Sequence, residues 1–234
     1  QALPEDEIEH RVVEALARSG IGQLTMIDMD DVCITNTNRQ LPALAHTVGV
    51  PKVEVLAKRV AEIHPNCRVN RVIEFLTESN ADRLLDGGFD YVVDAIDRTS
   101  IKALIIAKCV QRGLPVITSG SAGGRRDATA VKLTDLGFAG ADMLLKGTRQ
   151  NLRRDFGFAK SMEGRPMAFG VPCVFSTERA IYPQADGTCK LEPQEGTEAG
   201  LRLDCAAGFG AATFVTGTFG FVLAGEVVRH LSGV

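Results

Sequence analysis

The stretch Met26 to Gln40, MIDMDDVCITNTNRQ, closes an apolar run on acids and passes into a polar loop that holds two asparagines, an arginine and a glutamine. In an open α/β sheet, ligands bind beyond the carboxyl ends of the strands. An acid at the end of the second strand of a nucleotide-binding unit accepts hydrogen bonds from ribose hydroxyls, and Asp28 holds that place; a capping Asp in a turn is the plainer alternative. Arg39 and Lys52 put two cations on the same side, a pair suited to a triphosphate or to the charge of a transferring phosphoryl group. Asp97, just past the apolar run Tyr91 to Ile96, is placed to hold Mg²⁺ against such a phosphate. Singly, each residue resembles any solvated surface charge. Their placement at successive strand ends is what joins them.

The elements that must position these residues follow from the hydrophobic periodicity. Arg11 to Arg18 carries apolar residues at 12, 13, 15 and 16 and stops at Ser19-Gly20, the pattern of a short helix. Leu24 to Asp28 follows as a strand. A helix over Lys52 to Ile63 starts after Pro51 and ends before His64-Pro65. Cys67 to Phe75 alternates as a strand, Ser79 to Leu85 is a short polar helix, and Phe89 to Ile96 is a strand buried on both faces. Ile101 to Arg112 is expected as a helix and Leu114 to Ser119 as another buried strand. This alternation argues for a doubly wound α/β fold with a mainly parallel sheet.

After the glycine-rich turn at 120–124 the character changes. Ala130 to Leu133 is expected to open an antiparallel extension, and Ala141 to Phe156 is a basic helix. Val171 to Phe175 and Ala180 to Tyr182 are short strands, Ala185 to Ala199 is polar, and Leu203 to Leu231 closes the chain with an apolar helix.

The chain of 234 residues is long enough for a substantial core, and 45% apolar with 24% charged residues excludes disordered and low-complexity classes. A net charge of −3 provides no global positive field for nucleic acid, so any RNA contact must be a local patch. The run Phe209 to Leu223 approaches membrane-span length but is broken by glycines and threonines, so a buried segment is expected and no stable membrane insertion. The six cysteines, Cys33, Cys67, Cys109, Cys173, Cys189 and Cys205, contain no C-x-x-C pair, which fits a reducing, cytoplasmic setting and disfavours a structural zinc site.

Three segments, IDMDDVCITNTNRQ, VGVPKVEV and YVVDAID, resemble the adenylation core of the ubiquitin-activating-enzyme-like superfamily, which includes adenylyltransferases for molybdopterin synthase and for the thiazole sulfur carrier. Within it, TNTNRQ, the segment Asp142 to Lys160, VPCVFSTE at 171–178 and LDCAAGFGAATFVTGTFG at 203–220 resemble the tRNA threonylcarbamoyladenosine dehydratase branch. The resemblance runs from Arg11 onward. It implies a Rossmann-like single adenylation domain over 1–234, with a nucleotide-binding core at 11–120 and a substrate-binding and dimerisation extension at 121–234. It also implies ATP and Mg²⁺, a tRNA substrate, a homodimer, and a reaction in which a carboxylate attacks the α-phosphate and the adenylate is captured by an internal nucleophile. Carried over by position, Asp28 would hold the ribose, and Asn36, Arg39 and Gln40 would line the phosphates. Lys52 would bind phosphate oxygens and Asp97 would position Mg²⁺, so that Arg39, Lys52 and Asp97 form the catalytic set.

The same resemblance calls for a strand and a G-x-G-x-x-G loop directly before the first helix, where this sequence reads QALPEDEIEH. The expectation is that the glycine loop lies outside these residues; a non-catalytic binding module is the alternative if it is absent. An adenylyltransferase for a small ubiquitin-like sulfur carrier is the second alternative, with a cysteine desulfurase or sulfur acceptor as partner. Buried packing is the commoner role for cysteines in apolar text such as Cys173 and Cys205. Between 146 and 160, Lys146, Arg149, Arg153, Arg154 and Lys160 face the single acid Asp155. Positions 146, 149 and 153 share a helical face. The resemblance turns that basic face, with Arg154, into an expected track for tRNA phosphates.

Overall fold

Helix α1 (Glu9–Arg18) forms because Val12, Val13, Leu16 and Ala17 recur at helical spacing, and it stops where Gly20 adopts a φ of 80°, a conformation costly to any residue with a Cβ. The structure is a computed structural model that describes residues 8–183, 188–191 and 210–233. Most of the polar region 185–199 lies outside these, as do residues 203–209 of the closing motif, with Cys205 and Phe209.

Strand β1 (Gln23–Ile27) is followed by the polar loop, then by α2 (Lys52–Ile63), which starts after Pro51 and ends at His64, and by β2 (Arg68–Val72). Strands β1 and β2 pair in parallel from Gln23↔Arg68 to Ile27↔Val72. Next come α3 (Ala81–Leu85), β3 (Val92–Asp94), α4 (Thr99–Gln111) and β4 (Val116–Ser119). The second half adds β5 (Val131–Asp135), α5 (Met143–Asp155), β6 (Pro172–Ser176), the short pair β7 (Tyr182–Pro183) and β8 (Cys189–Lys190), and α6 (Thr213–Ser232).

One sheet has the order β3-β4-β6-β5, in which β3, β4 and β6 are parallel and β5 runs antiparallel to β6. The fold class is therefore the expected one, antiparallel extension included. Helices α4 and α5 cover one face of this sheet through Ile105, Ile106, Leu145 and Leu152. Helices α1 and α6 cover the other through Val12, Leu16, Phe219 and Leu223. Strand β4 is buried along its whole length, as a central parallel strand between two helical layers must be.

The parallel ladder is interrupted between β1 and β3. Strand β1 pairs only with β2, and β3 only with β4, among the described residues. A cavity of about 650 Å³, bounded by Gln23–Ile27 on one side and Val92–Asp94 on the other, separates the two edges. Helix α1 bridges them: Val12 and Leu16 pack with the larger sheet's cluster, while Val13 and Ala17 pack with Met26, Val53, Leu56 and Val60 beside β1. No described helix is long and apolar enough to cross a membrane.

Candidate active site

The carboxyl ends of β1 and β3 both open on this cavity, where the strand sequence reverses direction and ligands gather in doubly wound sheets. Asp28 follows the last residue of β1, and its Oδ1 accepts the Asp30 backbone N–H at 2.8 Å. The Asp30 carbonyl accepts the Lys52 backbone N–H at 2.9 Å, and Lys52 Nζ lies 3.2 Å from Asp30 Oδ2. Lys52 is thus fixed by the first turn of α2 and is almost fully buried. Burial pushes the Asp28 carboxyl above its ordinary range, opposed by the nearby Lys52 ammonium.

The polar loop after β1 holds itself together through the residues singled out by type. Asn36 Oδ1 accepts the Cys33 N–H at 2.9 Å, and the Asn36 carbonyl accepts the Gln40 N–H at 2.8 Å. Arg39 is buried and donates from Nη1 to the Thr35 carbonyl and to Asn38 Oδ1. The Gln40 side chain differs: it is only 5% exposed, yet neither amide atom has a hydrogen-bond partner among the described residues. A buried amide without partners costs on the order of 1–3 kcal/mol, so it fits a site completed by a polar ligand.

Three cations converge on the head of α1. His10, fully buried there, is held well below its ordinary range by burial first and then by the fields of Lys52, Arg11 and Arg39. Arg11 donates to Thr213 Oγ1 at the start of α6, and Thr213 Oγ1 in turn reaches the Arg39 carbonyl. Glu9, His10 and Asp28 bring donor atoms within 4.8 Å of one another, a spacing that could suit a metal ion. The corner therefore mixes the carboxylates of Glu9, Asp28 and Asp30 with the cations Lys52, Arg11 and Arg39.

Asp97 lies half-buried in the cavity wall, three residues past Asp94 at the end of β3. Asp28 and Asp97 thus both line the cavity, while Lys52 is buried behind Asp30 next to Asp28, and Arg39 and Gln40 are buried in the loop after β1. It gives the Asn36 carboxamide oxygen a loop-closing contact instead of an open one. Residues without a catalytic type signal also shape the mouth. Asp30 holds Lys52, and a fully buried Lys102 pairs with Asp94 beneath Asp97. The helical spacing of Lys102 with buried Ile106 and Cys109 on α4 was the available signal for the latter.

The basic face on α5 is not uniform. Lys146 and Arg154 are exposed, Arg154 pairing with Asp155. Arg149 turns half-inward and donates to the carbonyls of Leu136 and Ala139, and burial lowers its pKa. Arg153 lies over the Phe169 ring at 5.2 Å. Cys173 in β6 is buried and its thiol is pushed far up, and burial raises Cys109 to about 11, so neither is a thiolate near neutrality.

A parallel sheet flanked by helices, with acids and buried cations at its switch point, defines a nucleotide-binding class of α/β protein. A family model of the ThiF family matches residues 10–234, and the chain belongs to that family. It is 48% identical to a tRNA threonylcarbamoyladenosine dehydratase of Escherichia coli (strain K12), over 93% of this chain and 80% of the relative. It is 45% identical to the dehydratase of the same name from Haemophilus influenzae, over 94% of this chain and 80% of the relative. Among solved structures, the E. coli tRNA N6-threonylcarbamoyladenosine dehydratase TcdA in complex with ATP superposes with a TM-score of 0.81 at 43% identity, covering 95% of this chain and 81% of that one.

Proposed function

We propose that this chain is an ATP-dependent tRNA threonylcarbamoyladenosine dehydratase, which activates the threonylcarbamoyl carboxylate as an adenylate and closes it into a ring on the tRNA adenosine. The observation that carries the reading is the convergence of Lys52, Arg39 and Arg11 on one corner beside Asp28, with the partnerless Gln40 amide behind it. The 48% and 45% identical relatives bear the dehydratase name, and a solved relative holds ATP.

In this reading Asp28 orients the ribose, and Lys52 and Arg39 offset the negative charge that grows on the pyrophosphate oxygens as pyrophosphate leaves. Fixed cations in a half-dry site do this without reorganising. Gln40 supplies the amide donor to a phosphate oxygen. Asp97 has the hard oxygen donor that Mg²⁺ prefers, and the ion would add charge neutralisation at the phosphates.

The exposed Lys146 and Arg154, with Arg153, form the outer track for tRNA phosphates. The extension at 121–234 provides substrate contacts and the homodimer contact, in a cytoplasmic setting. The dehydratase name of the 48% and 45% identical relatives favours this reading over the sulfur-carrier alternative. The deciding experiment incubates the protein with ATP, Mg²⁺ and threonylcarbamoyladenosine-bearing tRNA, then weighs the released nucleosides. Loss of one water per modified nucleoside, dependent on ATP, is the expected result. An unchanged nucleoside alongside intact ATP binding would overturn the proposal in favour of a binding module.

A further inference from the structure

Beneath the mouth, α4, β3 and β4 meet at a buried polar cluster that lies away from the nucleotide corner. Lys102 Nζ donates to Asp94 Oδ2 at 3.0 Å, to the Asp94 carbonyl at 3.4 Å and to Thr118 Oγ1 at 3.0 Å. Thr118 Oγ1 donates in turn to Asp94 Oδ2 at 2.8 Å, closing a triangle. The Lys102 and Asp94 side chains have no solvent exposure at all. The remaining Asp94 oxygen, Oδ1, accepts the Ile96 backbone N–H at 3.1 Å, inside the turn that ends at Asp97.

A buried ion pair contributes little net stability, because desolvating two charges offsets their attraction, and apolar replacements of similar size are often as stable or more so. Its definite property is direction: each oxygen of Asp94 has one geometry in which all its donors are satisfied. We propose that Lys102, Asp94 and Thr118 form a positioning device that fixes the Ile96 N–H and thereby the direction in which Asp97 presents its carboxylate. The proposal rests on the reading of Asp97 as the residue that faces Mg²⁺. Lys102 itself touches no substrate; it acts through Asp94 and the turn.

The test replaces the whole cluster by apolar residues of similar size, Asp94→Leu/Lys102→Met/Thr118→Val, beside Lys102→Arg, which keeps the charge, and Asp97→Asn. Three properties are measured: the melting curve, hydrogen exchange at the Ile96 amide, and Mn²⁺ binding by electron paramagnetic resonance with a non-hydrolysable ATP analogue present. The apolar variant is expected to melt cooperatively at or above the wild-type temperature. Its Ile96 amide should exchange on the order of 10- to 100-fold faster and its Mn²⁺ affinity fall by a similar factor, as a misplacement of about 1 Å produces. Lys102→Arg should recover part of both. Unchanged Ile96 exchange and Mn²⁺ affinity would overturn the proposal, and so would failure of the apolar variant to fold, since the cluster would then be a requirement of the fold. If Asp97→Asn leaves Mn²⁺ affinity untouched while Ile96 exchange responds to the cluster, the reading of Asp97 fails and the positioning of the turn stands.

Discussion

Lys52 and Asp30 are joined twice, by the Lys52 backbone N–H on the Asp30 carbonyl at 2.9 Å and by Nζ against Oδ2 at 3.2 Å. The double link fixes both the start of α2 and the direction of the ammonium, so the cation proposed to meet phosphate is held in place by a carboxylate of opposite charge. Lys52→Met is expected to weaken ATP binding by about 10-fold or more, since a charge-assisted contact is on the order of 1.5–3 kcal/mol. Asp30→Asn should weaken it less, because the backbone link remains. Nucleotide affinity measured by isothermal titration checks both, and equal losses would show that Asp30 matters beyond holding Lys52.

Two acids respond to pH with opposite signs. Asp28 has its pKa raised by burial, so the folded state holds its proton more tightly than the unfolded one. Stability from this group is fullest below the ordinary value of 3.8 and is lost as pH rises from there through the raised value. Asp28→Asn should therefore gain melting temperature relative to wild type across that window and hold the gain above it, while losing ATP affinity. Glu14 behaves in reverse: hydrogen bonds from Arg59 and Arg18 lower its pKa, so its contribution is present above 4.5 and disappears as pH falls through the lowered value. Melting curves of Glu14→Gln against wild type should separate above that range and merge in acid.

Helix α6 crosses α1 at Gly220, where an added Cβ would meet the Ile8 carbonyl at 2.8 Å and the Val12 nitrogen at 3.2 Å. Backbone cannot yield there as a flexible side chain can. Gly220→Ala is expected to cost about 1–3 kcal/mol of stability by overpacking. Gly225→Ala on the same helix meets nothing within 4 Å and should be stabilising by about 0.5–1 kcal/mol through helix propensity. Urea unfolding of the two variants checks the contrast.

On α5 the charges divide by what they touch. Lys146→Ala/Arg154→Ala is expected to lower the salt slope of tRNA binding by about 2 without altering the melting temperature. Arg149→Ala should instead reduce the melting temperature, because its guanidinium is engaged by the Leu136 and Ala139 carbonyls. A filter-binding series over salt concentration, with a melt of each variant, distinguishes the two effects.

Iodoacetamide should modify Cys33, exposed in the loop after β1, well before Cys109 and Cys173 in the folded protein. Buried thiols with raised pKa react only through opening of the structure. Peptide mapping of the labelled protein gives the order.

The bounds of α2 were legible to the residue, because Pro51 sets the start and His64-Pro65 forbids continuation. Strands such as β4 were legible as uninterrupted apolar runs, and the antiparallel β5 as a change of rhythm after the glycine turn. Asp28, Lys52 and Asp97 stood out by residue type next to strand ends, and their roles are part of the proposal above. Other features depended on contacts distant in sequence. Asn36 and Arg149 belong by type to ligand contacts, yet loop closure and helix packing engage them. The spacing of Lys102 with Ile106 and Cys109 marks it as facing inward on α4, but its partners Asp94 and Thr118 are distant in sequence.

Helix α1 serves two apolar clusters at once: Val12 packs on the α6 side and Val13 beside Met26 and Val53, while Glu14 on the same helix pairs with Arg59 of α2. A defect in this one helix is therefore felt both beside β1, where Asp28 sits, and on the face of the larger sheet that α6 covers.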